Sequence, residues 1–177
     1  MEYYVIQIKT GNEKQFLDIS RKYPSLNNLK LIWLRKNTTQ RKKGVTKDVL
    51  VSLFPGYIFV ETDKITVEEV SVLRSVSGFI RFLRDNQHIE PLSPMDREII
   101  RHFFIFGEIV GKSKAYFDEN NRIKIISGPL EGLEGSIIKV DRRKKRAKIR
   151  LDLYEDSLYV NLDFEVIQSD TRDDSDD

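Results

Sequence analysis

A chain of 177 residues with 30 Lys and Arg against 28 Asp and Glu carries a net charge of only +2, so bulk charge names no partner and the placement of charge must. Its 40 % hydrophobic content suits a folded protein with one sizeable core or two small ones. The absence of cysteine excludes disulfides, thiolate metal sites and a Cys nucleophile. No run approaches the roughly 18 to 20 apolar residues of a membrane span. The opening MEYYVIQIKT lacks the pattern of a signal peptide, so a cytoplasmic protein without membrane association is expected.

Tyr3 to Ile8, aromatic and β-branched, predicts a strand, and Gly11-Asn12 a turn. Glu13 to Tyr23 places Phe16, Ile19 and Tyr23 at helical spacing, with Pro24 as the stop. Leu29 to Leu34 and Val49 to Leu53 are apolar runs separated by NTTQRKKGVTKD, whose charge and Gly44 predict a long, mobile hairpin tip. Phe54-Pro55-Gly56 leads into a strand over Tyr57 to Val60. A short helix is expected over Ile65 to Leu73, capped by Thr66, and a strand over Phe79 to Leu83. Ser93-Pro94-Met95-Asp96 opens a helix reaching about Phe104, because a capping hydroxyl precedes a proline at the first helical position.

These elements place a mixed α+β domain at residues 1–106, an antiparallel sheet flanked by helices. Residues 107–121, with two glycines and little periodicity, read as a linker. Five short β-patterned runs follow, Arg122 to Ile126, Ser136 to Val140, Arg146 to Leu153, Leu158 to Val160 and Phe164 to Ile167. Their close spacing predicts a small all-β barrel over 122–168. The Asp-rich tail, 169–177, is expected to be disordered.

Charge is concentrated in VDRRKKRAKIRL: Lys139 to Arg150 holds eight basic residues and one acid. Period two turns Arg146, Lys148 and Arg150 outward together, beside Arg142, Arg143, Lys144 and Lys145 at the preceding turn. Cations this close sum their potentials over one surface and attract phosphate. The functional reading is RNA contact and the alternative a solvated hairpin tip, the usual reading of a charge run; this run is longer than solubility needs in a protein of almost no net charge. Tyr116, Tyr154 and Tyr159 are available for base stacking, but the pattern singles out none of them. Arg41, Lys42 and Lys43 read as a solvated loop and Trp33 as a core residue.

The run GPLEGLEGSIIKV, with Gly128, Gly132 and Gly135 marking turns, is followed by a strand and not by the Gly-Lys-Ser/Thr of a phosphate loop. It resembles a KOW motif, and the match covers about residues 122 to 153. YYVIQIKTGNEKQFL, FPGYIFVE and RSVSGFIRFL together resemble, in order, the amino-terminal domain of the NusG family of transcription factors. The stretch FIRFLRDNQHIEPLSPMD is similar to the specialised antiterminator paralogs, RfaH and LoaP among them. The resemblance implies an NGN-like domain followed by an SH3-like KOW barrel. It further implies an aromatic patch at Tyr4, Phe54 and Tyr57 that docks on the clamp helices of RNA polymerase. Alternation leaves open whether these three rings are simply core. The expected partners are RNA polymerase and nascent RNA, a structured element included, with a ribosomal protein or termination factor as the alternative for the barrel. A ribosomal-RNA-binding KOW protein is the second reading. His88 and His102 have no ligand set at metal spacing, and no catalytic motif stands out, so a monomeric non-enzyme without metal or cofactor is expected.

Overall fold

A computed structural model describes residues 1–84, 86–154 and 156–168. The tail expected to be disordered, 169–177, lies outside the described residues. Two compact units emerge: residues 1–110 with 151–158, and residues 111–150 with the chain from Tyr159 onward.

The first unit runs β1 (Glu2–Ile8), α1 (Glu13–Ser20), β2 (Lys30–Ile32), β3 (Arg35–Lys42), β4 (Val45–Ser52), β5 (Tyr57–Thr62), α2 (Val67–Ser75), β6 (Phe79–Phe82), α3 (Pro94–Phe104) and β7 (Ile109–Val110). The main sheet has the order β2-β5-β1-β6, and β1 pairs antiparallel with both β5 and β6. Alternation sends Tyr4, Ile6, Ile58 and Val60 to one face, where Phe16 and Leu17 of α1 and Val70 and Leu73 of α2 complete a core. The opposite face is closed by α3, through ring contacts of Tyr3 with Phe104 (5.2 Å) and Phe59 with Phe104 (5.8 Å). Both faces are therefore covered, and Ile58, Phe59 and Val60 are all buried. That is why β5 reads as a continuous apolar run.

The helix starts follow their caps. The Thr66 hydroxyl accepts from the Glu69 N–H at 3.2 Å while the Glu69 carboxylate accepts from the Thr66 N–H at 2.7 Å, a reciprocal capping box. Ser93 Oγ accepts from the Asp96 N–H at 3.1 Å, with Pro94 at the first helical position. The mobile tip expected between residues 37 and 48 is instead an antiparallel ladder in register from Arg35↔Ser52 to Lys42↔Val45. Lys43 and Gly44, at φ of 50° and 81°, close it as a two-residue turn, because positive φ at both central positions matches the twist of the paired strands.

The second unit consists of β8 (Ser113–Phe117), β9 (Ile123–Ser127), β10 (Ile137–Asp141), β11 (Arg146–Leu153) and β12 (Asp156–Val166), ordered β10-β11-β12-β8-β9; the turn-side residues 151–158 of β11 and β12 cluster with the first unit. Ala115, Leu130, Ala147, Ile149, Val160, Leu162 and Phe164 are buried. Both fold classes, α+β and then all-β, are as expected. The linker over 107–121 is not: Ile109–Val110 pairs with β3, Ser113–Phe117 pairs with β9 and β12, and the division falls after Val110. Those strands are too short to show a period. The two runs expected at 158–160 and 164–167 are one strand, in which the exposed Asn161 and the buried, ion-paired Asp163 interrupt the apolar pattern but not the strand.

Candidate docking and nucleic-acid surfaces

Phe54-Pro55-Gly56-Tyr57 is a hydrogen-bonded turn in which the Tyr57 N–H donates to the Phe54 carbonyl at 3.1 Å. Proline at the second position and Gly56 at φ +83° are what a type II turn demands. A Cβ at Gly56 would lie 2.8 Å from Thr10 Oγ1, so the position has no room for a side chain. Its N–H donates to the buried Glu13 carboxylate at 2.8 Å and its carbonyl accepts from the Ile8 N–H at 2.8 Å, which locks the turn onto the first strand.

The three rings of the expected docking patch do not come together. Phe54 is 2 % exposed, wedged edge-on between Phe59 (5.4 Å) and Phe103 (5.5 Å), and is not stranded at an edge. Tyr4 is 5 % exposed and points to the opposite face of the sheet, into the core under α1 and α2. Tyr57, paired with Gln7, is half-buried, so of the three it alone offers surface in this conformation. Trp33, half-buried, donates its indole N–H to Ser52 Oγ at 2.7 Å, and the Arg35 guanidinium lies 5.0 Å from its ring centre. His102 packs its ring on Phe103 and Phe106, His88 is exposed, and no group of three or more His, Asp or Glu at metal-holding distance occurs among the described residues.

In the second unit the alternation of β11 is as the sequence suggests: Ala147, Ile149, Leu151 and Leu153 are buried, and Arg146, Lys148 and Arg150 turn out. The turn before it contains Lys145 at φ +52°, and Asp141 Oδ1 accepts from the Lys144 N–H at 2.9 Å. The seven cations divide by role. Arg142 is structural: its guanidinium lies 3.8 Å from the Phe117 ring centre and donates to the Asn121 carbonyl at 2.8 Å. Arg146 is ion-paired with Asp163 at 3.3 Å. Arg143, Lys144 and Lys145 are exposed at the turn, and Arg150 is exposed on the strand. Lys148 lies over the Tyr159 ring, 4.8 Å from its centre. Lys139 of β10 faces Lys148 in register; it opens the basic run in the sequence but was not among the seven cations expected to meet RNA, and its place at the head of that run was the available signal.

The GPLEG segment is explained by packing and needs no ligand. A Cβ on Gly128, at φ +97°, would fall 2.7 Å from Ser113 Cα, and Ser113 Oγ accepts from the Leu130 N–H at 2.9 Å. A sheet covered by helices on both faces, followed by a small β unit with cations gathered on one face and no catalytic or metal-holding cluster among the described residues, is the class of construction to compare with known proteins. A family model described as transcription termination factor nusG matches residues 1–101. The transcription termination/antitermination protein NusG of Borreliella burgdorferi is 28 % identical over 123 residues, 66 % of this chain and 67 % of that one. Its namesake from Helicobacter pylori strain 26695 is 24 % identical over 164 residues, covering 87 % and 90 %. The solved structure described as domain interaction in Thermotoga maritima NusG aligns with a TM-score of 0.56 at 22 % identity, over 92 % of this chain and 93 % of that chain, a likeness of fold. The chain belongs to the NusG family of transcription termination and antitermination factors.

Proposed function

We propose that this chain is a specialised antiterminating elongation factor whose first unit docks on the clamp helices of RNA polymerase and whose second unit holds nascent RNA. The observation that carries the reading is the exposed turn Arg143-Lys144-Lys145 on a family member whose other cations are already partly engaged by Phe117, Asn121 and Asp163. A run made only for solubility has no need of three adjacent cations in a chain of net charge +2. Clamp docking would use the surface around Tyr57. A preference for the elongating state of the polymerase over the paused one would then suppress pausing and termination. Two modest contacts on one chain add up to strong recruitment, since the second becomes intramolecular.

The test is charge reversal of Arg143, Lys144 and Lys145 together in the full chain, sparing Arg142 because of its structural contacts. Loss of RNA affinity and of terminator read-through in a reconstituted transcription assay is the expected result. Unchanged RNA binding and read-through would overturn the assignment of this surface and favour a protein partner for the second unit. On the first unit, Tyr57→Ala is expected to weaken binding to RNA polymerase while leaving the unfolding midpoint close to that of the parent.

A further inference from the structure

The outward face of β10, β11 and β12 holds an arrangement that a solvated sheet does not need. Lys139 and Lys148 stand directly opposite each other in register. Like charges at opposed positions repel and destabilise the pair. Of the acids on these strands, Asp163 pairs with Arg146 at 3.3 Å and Asp141 accepts the Lys144 N–H at 2.9 Å, while Glu165 is exposed near the end of β12. Arg150, the next outward residue of β11, adds a third cation.

On the adjacent strand stands Tyr159, 53 % exposed between the buried Leu158 and Val160. Lys148 Nζ lies 4.8 Å from its ring centre. The two nearby rings of this unit are not equivalent to it. Phe117 is capped at 3.8 Å by the Arg142 guanidinium, and Tyr116 is half-buried. A half-exposed ring with a lysine over one face, and further cations on the same face of the sheet, is the chemistry that takes a base face and its flanking phosphates. A duplex hides its base faces in the stack, so a ring of this kind engages only an unpaired nucleotide.

We propose that this sheet face binds single-stranded RNA, stacking one unpaired base on Tyr159 and holding adjacent phosphates on Lys139 and Lys148; the inference rests on the RNA-binding reading above and narrows it to a strand class and a surface.

The experiment uses the full chain, an unstructured RNA of about 12 nucleotides and a blunt duplex of the same sequence, within the site sizes typical of such surfaces. Binding is followed by fluorescence anisotropy across a salt series. The single strand is expected to bind at least about tenfold tighter than the duplex. Tyr159→Ala should weaken single-strand binding by about 5- to 150-fold, and Tyr159→Phe, which keeps the ring, should retain it. Lys139→Gln and Lys148→Gln should each reduce the salt slope by about 0.7, whereas Tyr159→Ala leaves the slope unchanged. Equal or tighter duplex binding, or an unaltered affinity in Tyr159→Ala with an unchanged thermal unfolding curve, overturns the proposal. If reversal at Arg143, Lys144 and Lys145 removes binding and Tyr159→Ala does not, this inference falls and the broader RNA reading stands. If neither RNA binds, both fall.

Discussion

Gly56 shows how one residue serves local geometry and long-range packing at once. Its positive φ makes the turn, its missing Cβ admits Thr10, and its N–H satisfies the Glu13 carboxylate from 43 positions away in sequence. Gly56→Ala is expected to cost about 1–3 kcal/mol in chemical denaturation, from strain in a conformation that L residues rarely adopt. Pro-Gly as a turn signal is visible in the sequence, whereas the carboxylate that completes it is not. Phe54 is the reverse case. Its neighbours mark it as an edge residue, yet Phe103 closes over it from α3. Phe54→Ala should therefore lose about 3–5 kcal/mol of stability, which confounds any binding assay that uses that variant alone. Tyr3 yields a prediction in pH. Burial first, and then the Glu61 carboxylate that accepts a hydrogen bond from its hydroxyl at 2.8 Å, hold its phenol above the ordinary 10.0. The neutral phenol is favoured in the folded state, so its stabilisation is complete below pH 10 and is lost as pH rises toward the higher folded value. Tyr3→Phe should flatten the alkaline arm of a stability-against-pH curve relative to the parent.

At the scale of elements, caps were legible and ladders were less so. Ser93-Pro94 and Thr66 with Glu69 announce their helices because capping is a contact within one turn. Thr66→Ala is expected to cost about 1 kcal/mol, read from the thermal midpoint. The hairpin over β3 and β4 is legible but the length of its ladder is not, because a ladder is stabilised across strands, and polar residues such as Thr39 and Asp48, joined at 2.9 Å, give no alternating signal. Its turn places Lys43 at φ +50°, where Asn is better accommodated than Lys. Lys43→Asn should slow amide exchange at Lys42 and Val45, and faster exchange would contradict the turn assignment. β7 and β8 escape the sequence for a related reason: a strand of two residues and one of five acquire meaning only from the partners that pair with them.

For the whole molecule, the relevant quantity is how charge is distributed over two units of different construction. RNA affinity should fall with rising salt, and neutralising Arg143, Lys144 and Lys145 together should reduce the slope of log K against log salt by about 2, since each phosphate contact to a single strand contributes about 0.7. A slope that does not move would show that these cations meet no phosphate. The sequence by itself determined the order of the α+β and all-β units, the apolar faces of their longer elements and the outward turn of Arg146, Lys148 and Arg150, because all of these follow from periodicity and local capping. Only the tertiary structure decided that Phe54 and Tyr4 are buried on opposite faces of one sheet, that Arg142 and Arg146 are committed to Phe117, Asn121 and Asp163, and that Lys139 confronts Lys148, which lies over a half-exposed tyrosine ring. The reason is that exposure and charge pairing depend on residues brought together from distant parts of the chain, and a linear pattern carries the period of a strand but not the identity of its neighbour.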